Sequence, residues 1–310
     1  MASAKSSLPD SHLSFDDFFT QYYGLKQCPS IRRALLAPKQ FCALINRYST
    51  VNENLFPLEH YRRLDALCTT NMTVIKAIDS NGTVEIPRPI QNSHYPMCAA
   101  SLLPILALDI QPNDQILDMC ASLGGKSIVI VQNFNSNNHL TSNELSQERH
   151  VRLKQTLKSY LSPTIYQQQL HLTNIDGTRP HIWTKTFDKI LIDAPCSSER
   201  HLIHSSSTHL WSVKRSKLNA KRQLALLHTA MRCIKPHLGT IVYSTCSLSP
   251  YENDQVIQQF LSQFSARVQV HRYIFPFGFP TEYGWMVLPK PWGSFLCLHF
   301  TCSIKCTDRC

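Results

Sequence analysis

Gln115-Ile116-Leu117-Asp118-Met119-Cys120-Ala121-Ser122-Leu123-Gly124-Gly125-Lys126-Ser127-Ile128-Val129-Ile130-Val131 decides the fold. An apolar run from Gln115 to Met119 stops in a polar turn with two adjacent glycines, and Ser127 to Phe134 then reads as a helix. A strand that passes directly into a helix opens a βαβ unit, and the same alternation repeats downstream. Leu140 to Asn143 reads as a second strand, with Ser146 to Leu161 as its helix, ended by Pro163. Tyr166 to Thr173, Phe187 to Ile192 and Thr240 to Tyr243 supply three more strands, and Ala220 to Ile234 is a patterned helix before the last of them. A helix to Phe264 follows Pro250. The apolar segments Val268 to Ile274, Trp285 to Leu288 and Phe295 to Phe300 then suit antiparallel pairing at an edge. The predicted class is α/β, a Rossmann-like parallel sheet with an antiparallel C-terminal tail.

Upstream, apolar residues recur at helical spacing from Ser14 to Leu67 (Phe15, Phe18, Phe19; Leu35, Leu36; Leu44, Ile45), interleaved with Arg32, Arg33, Lys39, Arg47, Arg62 and Arg63. Asn81-Gly82 between Val74-Ile75 and Val84 signals a hairpin, and Pro87 and Pro89 then interrupt regular structure. The expected organisation is a small, basic, helical N-terminal region with its linker over residues 1–92, and a catalytic domain over 93–310. A chain of 310 residues with 43% apolar and 17% charged residues can bury a substantial core, which excludes global disorder. No apolar run approaches the ~18 residues of a membrane span, so no membrane association is expected. A net charge of +10 favours a polyanionic partner without separating RNA from DNA or lipid. The 12 cysteines sit in a long chain whose opening, Met1 to Asp10, lacks a hydrophobic signal segment, which favours a reducing compartment. With Lys5 the only basic residue ahead of Asp16 and Asp17, that opening is also unlike a transit peptide.

The glycine turn is neither G-x-G-x-x-G nor G-x-x-x-x-G-K-[ST], because Cys120 stands where the second motif needs its first glycine. That argues against a nucleoside triphosphate. Adjacent glycines let a backbone approach a small ligand closely, and acids at strand ends can hold ribose hydroxyls; Glu144, Asp176 and Asp193 follow successive strands. The fourth strand runs into Asp193-Ala194-Pro195-Cys196-Ser197-Ser198 and the fifth into Ser244-Thr245-Cys246-Ser247. Both cysteines lie in polar turns at the ligand-binding edge, which suits thiolates better than core residues.

In these motifs the chain resembles the Nop/Sun (RsmB-type) RNA cytosine-5 methyltransferases from about Ser93 to Cys297. Asp118 to Ser127 corresponds to D-x-C-A-A-P-G-G-K-[ST], Asp193 to Cys196 to D-x-P-C, and Ser244 to Ser249 to S-T-C-[ST]-[LF]-[ST], followed by Glu252-Asn253. The resemblance implies a class I methyltransferase fold and S-adenosylmethionine as cofactor, with no metal. By it, Cys120, Gly124, Gly125, Lys126 and Ser127 border the cofactor, Glu144 and Arg149 lie on its ribose side, and Asp176 and Gly177 on its adenine side. Asp193 is shared between cofactor and cytosine, Cys246 is the nucleophile and Cys196 assists product release. Ser122-Leu123 departs from the usual Ala-Pro, and loss of the proline's fixed φ is expected to loosen the turn and weaken cofactor binding modestly.

The implied chemistry needs both cysteines. A thiolate added to C6 of cytosine makes C5 nucleophilic enough to take a methyl group. Asp193, titrating high, would donate at N3, and Cys196 would remove the C5 proton directly or through water. The cytosine must be unpaired or flipped out. A DNA cytosine-5 methyltransferase would instead use Cys196 and leave Cys246 idle. A non-catalytic RNA-binding or ribosome-assembly factor would have lost the cofactor acids, which are present. Lys214, Arg215, Lys217, Lys221 and Arg222 lie between the cysteine loops and are read as an RNA contact. His299, Cys302, Cys306 and Cys310 form one C-terminal run without a second ligand pair, read as a frayed tail rather than zinc ligands.

Tyr95 to Pro104 and Ala43 to Asn46 look like the mitochondrial members of the family, which implies a mitochondrial protein. Of these, one type acts on small-subunit ribosomal RNA with a helical-repeat protein partner and another on the wobble cytosine of a methionine tRNA. Arg200-His201-Leu202-Ile203-His204 looks more like the ribosomal RNA type.

Overall fold

The computed structural model describes residues 13–36, 41–50, 56–57, 59–77, 86–135, 137–275, 277–288 and 299–307. Two helices open it, α1 (Phe15–Tyr23) and α2 (Cys28–Leu36). The Ser14 hydroxyl caps α1 by accepting from the Asp17 amide at 3.2 Å. Strands β1 (Cys42–Ile45), β2 (Tyr61–Arg63), β3 (Val74–Ala77) and β4 (His94–Met97) then form an antiparallel sheet in the order β2-β3-β1-β4. The expectation of helical structure from Ser14 to Leu67 is corrected by β1 and β2. Leu44 and Ile45 belong to a strand whose Cys42, Ala43 and Leu44 are all fully buried, and spacing alone cannot separate so short an apolar run from a helix segment. The sheet takes in His94–Met97, beyond residue 92, while Asn81-Gly82 lies outside the described residues.

The remainder comprises α3 (Leu103–Leu108), β5 (Gln115–Asp118), α4 (Gly125–Gln132), β6 (His139–Asn143), α5 (Gln147–Tyr160), α6 (Pro163–Gln168), β7 (Leu170–Thr173), β8 (Lys189–Asp193), α7 (Glu199–His204), α8 (Val213–Cys233), β9 (Thr240–Thr245), α9 (Asp254–Phe264), β10 (Val268–His271), β11 (Phe279–Pro280), β12 (Trp285–Val287) and β13 (His299–Cys306). Its sheet runs β11-β12-β13-β9-β8-β5-β6-β7, with β10 also on β13. The strands from β9 to β7 are parallel and β13 is antiparallel to β9, as the expected Rossmann-like sheet with an antiparallel tail requires.

Two details differ from expectation. Pro163 begins α6 rather than ending a helix, because proline suits the first turn and the Ser162 hydroxyl caps it; Tyr166 is therefore helical and β7 starts only at Leu170. The C-terminal run is no frayed tail: β13 lies between β9 and β12, with His299, Cys302 and Cys306 buried. Cys310 and Phe295 to Leu298 lie outside the described residues.

Strand side chains alternate between two cores, as a sheet covered on both faces requires. Ile190, Ile192, Ile241 and Tyr243 pack in the cluster that includes Leu227 of α8 and Phe260 of α9, whereas Leu191 and Val242 join Ile128 of α4 and Leu153 of α5. From β5 the chain goes first outward to β6 and β7, then back to β8 on the other side. The carboxyl ends of β5 and β8 thus flank a topological switch point, where open α/β sheets form their binding crevice.

Candidate active site

At the end of β5, Asp118 is fully buried and accepts from the Ser127 hydroxyl at 2.7 Å, which in turn accepts from Ser142 at 3.1 Å. Ser127 is expected to touch the cofactor, but its side chain is spent inside the fold, tying α4 to β5 and β6. Burial pushes the Asp118 carboxyl up to about 7 and raises the half-buried Cys120 thiol.

Between them and α4 the turn carries left-handed φ values at Ser122 (+52°) and Gly124 (+94°). A Cβ on Gly124 would come within 2.9 Å of Leu153, so glycine is required for space as well as backbone conformation. Glu144 pins this turn: one carboxylate oxygen accepts from the Ser122 amide at 3.0 Å and the other from the Ser146 amide at 2.7 Å and the Arg149 guanidinium at 2.8 Å. That bond does part of what the missing proline would do, by fixing the turn from β6.

Asp176 accepts from the Thr178 amide and hydroxyl at 3.0 and 2.7 Å, and these bonds hold its carboxyl below the usual range. Neighbouring Gly177 packs so closely that a Cβ would meet Leu226 at 3.0 Å and Met119 at 3.2 Å. Glu144 and Asp176 thus follow the carboxyl ends of the neighbouring strands β6 and β7, Asp193 ends β8, and β5 with its glycine turn lies between β6 and β8. Asp118 Oδ1 is buried without a hydrogen-bond partner among the described residues. An acceptor-rich edge beside a close-approach turn fits the ribose hydroxyls and ammonium of S-adenosylmethionine.

Asp193 ends β8 opposite Ser244 of β9. It accepts from Lys126 Nζ at 2.6 Å and from the Ser244 hydroxyl at 2.9 Å. Burial works to raise its pKa, but the Lys126 charge and the charge acting from His299 outweigh burial and the carboxyl is held below its usual range. The expectation that Asp193 titrates high is corrected for the free chain: it is an ion-paired carboxylate.

The two cysteine sulfurs lie 3.2 Å apart. Cys246 is the exposed one and also meets the Ser198 hydroxyl at 3.2 Å. A hydrogen bond with Cys196 lowers Cys246 below a free thiol, and the same bond, with burial, raises Cys196 well above one. Two buried carboxylates cross-connect their loops. Glu199, at the start of α7 beyond Cys196, accepts from the Ser197 hydroxyl, from Ser247 at 3.0 Å and from the Leu248 amide at 2.9 Å. Glu252, beyond Cys246, reaches back to the Ser197 amide at 3.0 Å and holds Ser216 and Gln223 of α8 at 2.8 and 3.0 Å. Gln223 also donates to the Pro195 carbonyl at 2.9 Å. On β13, buried His299 bonds the Thr245 carbonyl through Nδ1 at 2.9 Å, and burial lowers its pKa to about 4. Sequence reasoning missed Glu199, Gln223, Ser198 and His299 as parts of the site. Only Glu199 carried a readable signal, an acid three residues after a motif cysteine.

A parallel sheet with a glycine turn, three strand-end acids and paired cysteines at one edge defines a class I, S-adenosylmethionine-dependent methyltransferase. A family model described as 16S rRNA methyltransferase RsmB/F matches residues 105–276. The chain belongs to the RsmB/F (Nop/Sun) family and is an RNA cytosine-5 methyltransferase. It is 30% identical to the 5-cytosine rRNA methyltransferase NSUN4 of Bos taurus, over 87% of this chain and 80% of that one. It is 34% identical to the mitochondrial tRNA (cytosine(34)-C(5))-methyltransferase of Danio rerio, over 81% of this chain and 72% of that one. The fold matches a methyltransferase homolog from Pyrococcus horikoshii with a TM-score of 0.73 at 22% identity, covering 94% and 95% of the two chains. It also matches NSun6 from the same organism, solved with SFG, with a TM-score of 0.72 at 15% identity, covering 95% and 98%.

Because Asp118 is raised from 3.8 to about 7, folding favours its protonated form. Its contribution to stability is full below about pH 4 and lost as pH rises toward 7. Asp118→Asn, which cannot ionise, is expected to narrow the drop in Tm between pH 5 and pH 8 measured by calorimetry. An unchanged drop would show that Asp118 does not titrate in this range.

Proposed function

We propose that the chain methylates C5 of a cytosine in mitochondrial small-subunit ribosomal RNA, with Cys246 as nucleophile. The observation that carries the catalytic assignment is the 3.2 Å contact of the two sulfurs, in which Cys246 is the more open and the more readily ionised. This also weighs against the reading in which Cys196 attacks, since Cys196 holds its proton.

Cys246 adds to C6 of the flipped cytosine, and the charge that gathers at N3 meets the Lys126–Asp193 pair, whose ammonium supplies the proton that Asp193 alone lacks. Glu144 and Arg149 would hold the ribose of S-adenosylmethionine and Asp176 and Gly177 its adenine, and the bound cofactor would supply the methyl group. Once Cys246 is bonded to C6, it no longer carries the negative charge that keeps Cys196 protonated. Cys196 can then release its proton to water in the cleft, take the proton from C5, and let Cys246 leave as a thiolate. As Cys246 leaves, N3 returns its proton to Lys126, the two thiols return to their starting states, and the one proton that Cys196 gave to water is released per methyl group transferred.

The ribosomal RNA assignment rests on the likeness to NSUN4, and the mitochondrial one on the likeness to a mitochondrial tRNA enzyme and on the resemblance of Tyr95 to Pro104. Lys214, Arg215, Lys217, Lys221 and Arg222 are exposed on α8, which leads from the loop of Cys196 toward β9, and they supply a track for phosphates that positions RNA without reading its sequence. Selectivity then comes from RNA shape or from a helical-repeat protein partner. The N-terminal region to residue 92 is proposed as an accessory unit and residues 93–310 as the catalytic one. The likeness to the mitochondrial tRNA enzyme supports a second reading, the wobble cytosine of a methionine tRNA.

Cys246→Ala is expected to abolish methyl transfer, and Cys196→Ala to accumulate a covalent RNA adduct that survives denaturing electrophoresis. Adduct accumulation on Cys246→Ala instead would reverse the two assignments. Bisulfite sequencing of mitochondrial RNA after depletion should lose one small-subunit ribosomal site; loss confined to the tRNA anticodon would establish the second reading.

A further inference from the structure

We infer that Glu199 is a positioning residue for methyl transfer, holding the loop of Cys196 against the loop of Cys246 so that one sulfur can donate to the other. The inference rests on Cys246 being the nucleophile. Glu199 is fully buried, and its side chain reaches across 48 and 49 residues of sequence to bond Ser247 and Leu248, the two residues that follow Cys246. The same carboxylate binds the hydroxyl of Ser197, the residue that follows Cys196, and the Ser197 and Ser247 hydroxyls lie 2.9 Å from each other. A side chain needed only to fill space here would be apolar, because burying a carboxylate costs several kcal/mol unless its oxygens are fully satisfied. These bonds are made to the two loops that carry the reacting sulfurs.

The consequence follows from how steeply a hydrogen bond weakens with distance and angle. Without Glu199 the loops keep only the Glu252–Ser197 and Ser197–Ser247 bonds, the sulfurs drift from their 3.2 Å contact, donation from Cys196 weakens, and Cys246 reverts toward an ordinary thiol. Above its own pKa of about 7 Glu199 also places a negative charge near Cys246, and losing that charge would by itself make the thiol ionise more easily. The two effects have opposite signs, so experiment can tell a positioning residue from a mere charge. The groups that bear on Cys246 are Cys196 and Ser198 in the loop after β8, Asp193 at the end of β8, Glu199 on α7 and Lys126 on α4, while Glu252 acts on Cys196.

The test is the pH dependence of Cys246 alkylation by iodoacetamide in the full chain without RNA, followed by peptide mass spectrometry, with S-adenosylmethionine binding by calorimetry as the check on folding. Glu199→Ala should slow alkylation near neutral pH on the order of tenfold, the scale of one lost hydrogen bond, and move the profile to higher pH. Glu199→Gln should stay within about threefold of wild type, because its amide can donate to the two hydroxyls while its oxygen accepts from Leu248. In methylation assays Glu199→Ala should lower kcat and leave KM for RNA unchanged. An unaltered profile in Glu199→Ala, or a shift to lower pH, would overturn the inference; so would equal losses in both variants. Should Glu199→Ala fail to fold, Ser197→Ala with Ser247→Ala removes the two hydroxyl bonds and leaves that of the Leu248 amide, so a smaller shift of the same sign is expected, and an unaltered profile or a shift to lower pH there would also overturn the inference. Alkylation does not depend on methyl transfer: if Cys246→Ala still methylated RNA, the assignment of the nucleophile would fall whatever the alkylation profiles showed.

Discussion

The parallel register of β8 and β9, which sets Asp193 beside Ser244, is the constraint on which the site depends. Two neighbouring parallel strands end on the same edge, so the loops that follow them emerge together although their cysteines are 50 residues apart in sequence. Nothing in that register by itself brings the sulfurs into contact. The last few ångströms are closed by side chains, with Glu199 reaching from the first loop to the second and Glu252 from the second to the first. Burying two carboxylates so near each other is unfavourable, and burial together with the Glu252 charge raises Glu199 to about 7. The hydrogen bonds from both loops offset that cost, which makes loop position and carboxylate satisfaction one and the same requirement.

Acids close together on this edge are driven to different protonation states by their surroundings. Asp118, under the glycine turn, and Glu199, between the cysteine loops, are raised by burial, whereas Asp193, with an ammonium at 2.6 Å, is lowered. The contrast gives each a different use. A raised acid can donate or remain neutral inside the fold, while an ion-paired carboxylate orders the donor that neutralises it. In the proposed mechanism, proton supply to the cytosine ring therefore falls to the Lys126–Asp193 pair rather than to one carboxylic acid. The cysteines follow the same logic, since the hydrogen bond between the sulfurs lowers the exposed one and raises its neighbour.

The α/β sheet was legible in the sequence because each of its parallel strands is a short apolar run that leads into a polar turn, as at Asp118 and Asp193. The paired cysteines and the strand-end acids were legible as candidates because they occupy those turns. The N-terminal sheet was not: Cys42 to Ile45 is too short for its apolar spacing to distinguish strand from helix, and its pairing partners come from distant segments. β13 was misread at its end because its cysteines looked like a loose tail until antiparallel pairing with β9 buried them. Glu199 and Gln223 were hidden for another reason. Their role lies in bonds across some 30 to 50 residues of sequence, which no local spacing encodes. Ser127 matched its motif yet points inward, so a motif position identified the turn without identifying which atoms face the ligand.

The central claim is that one edge of the sheet assigns attack to Cys246 and departure to Cys196. It is tested most directly by mapping the covalent complex of the wild-type chain with RNA that carries 5-fluorocytosine at the target position. Fluorine at C5 cannot leave as a proton, so the adduct persists. Peptide mass spectrometry should find the nucleotide on Cys246, with Cys196 unmodified. A nucleotide carried by Cys196 would contradict the account.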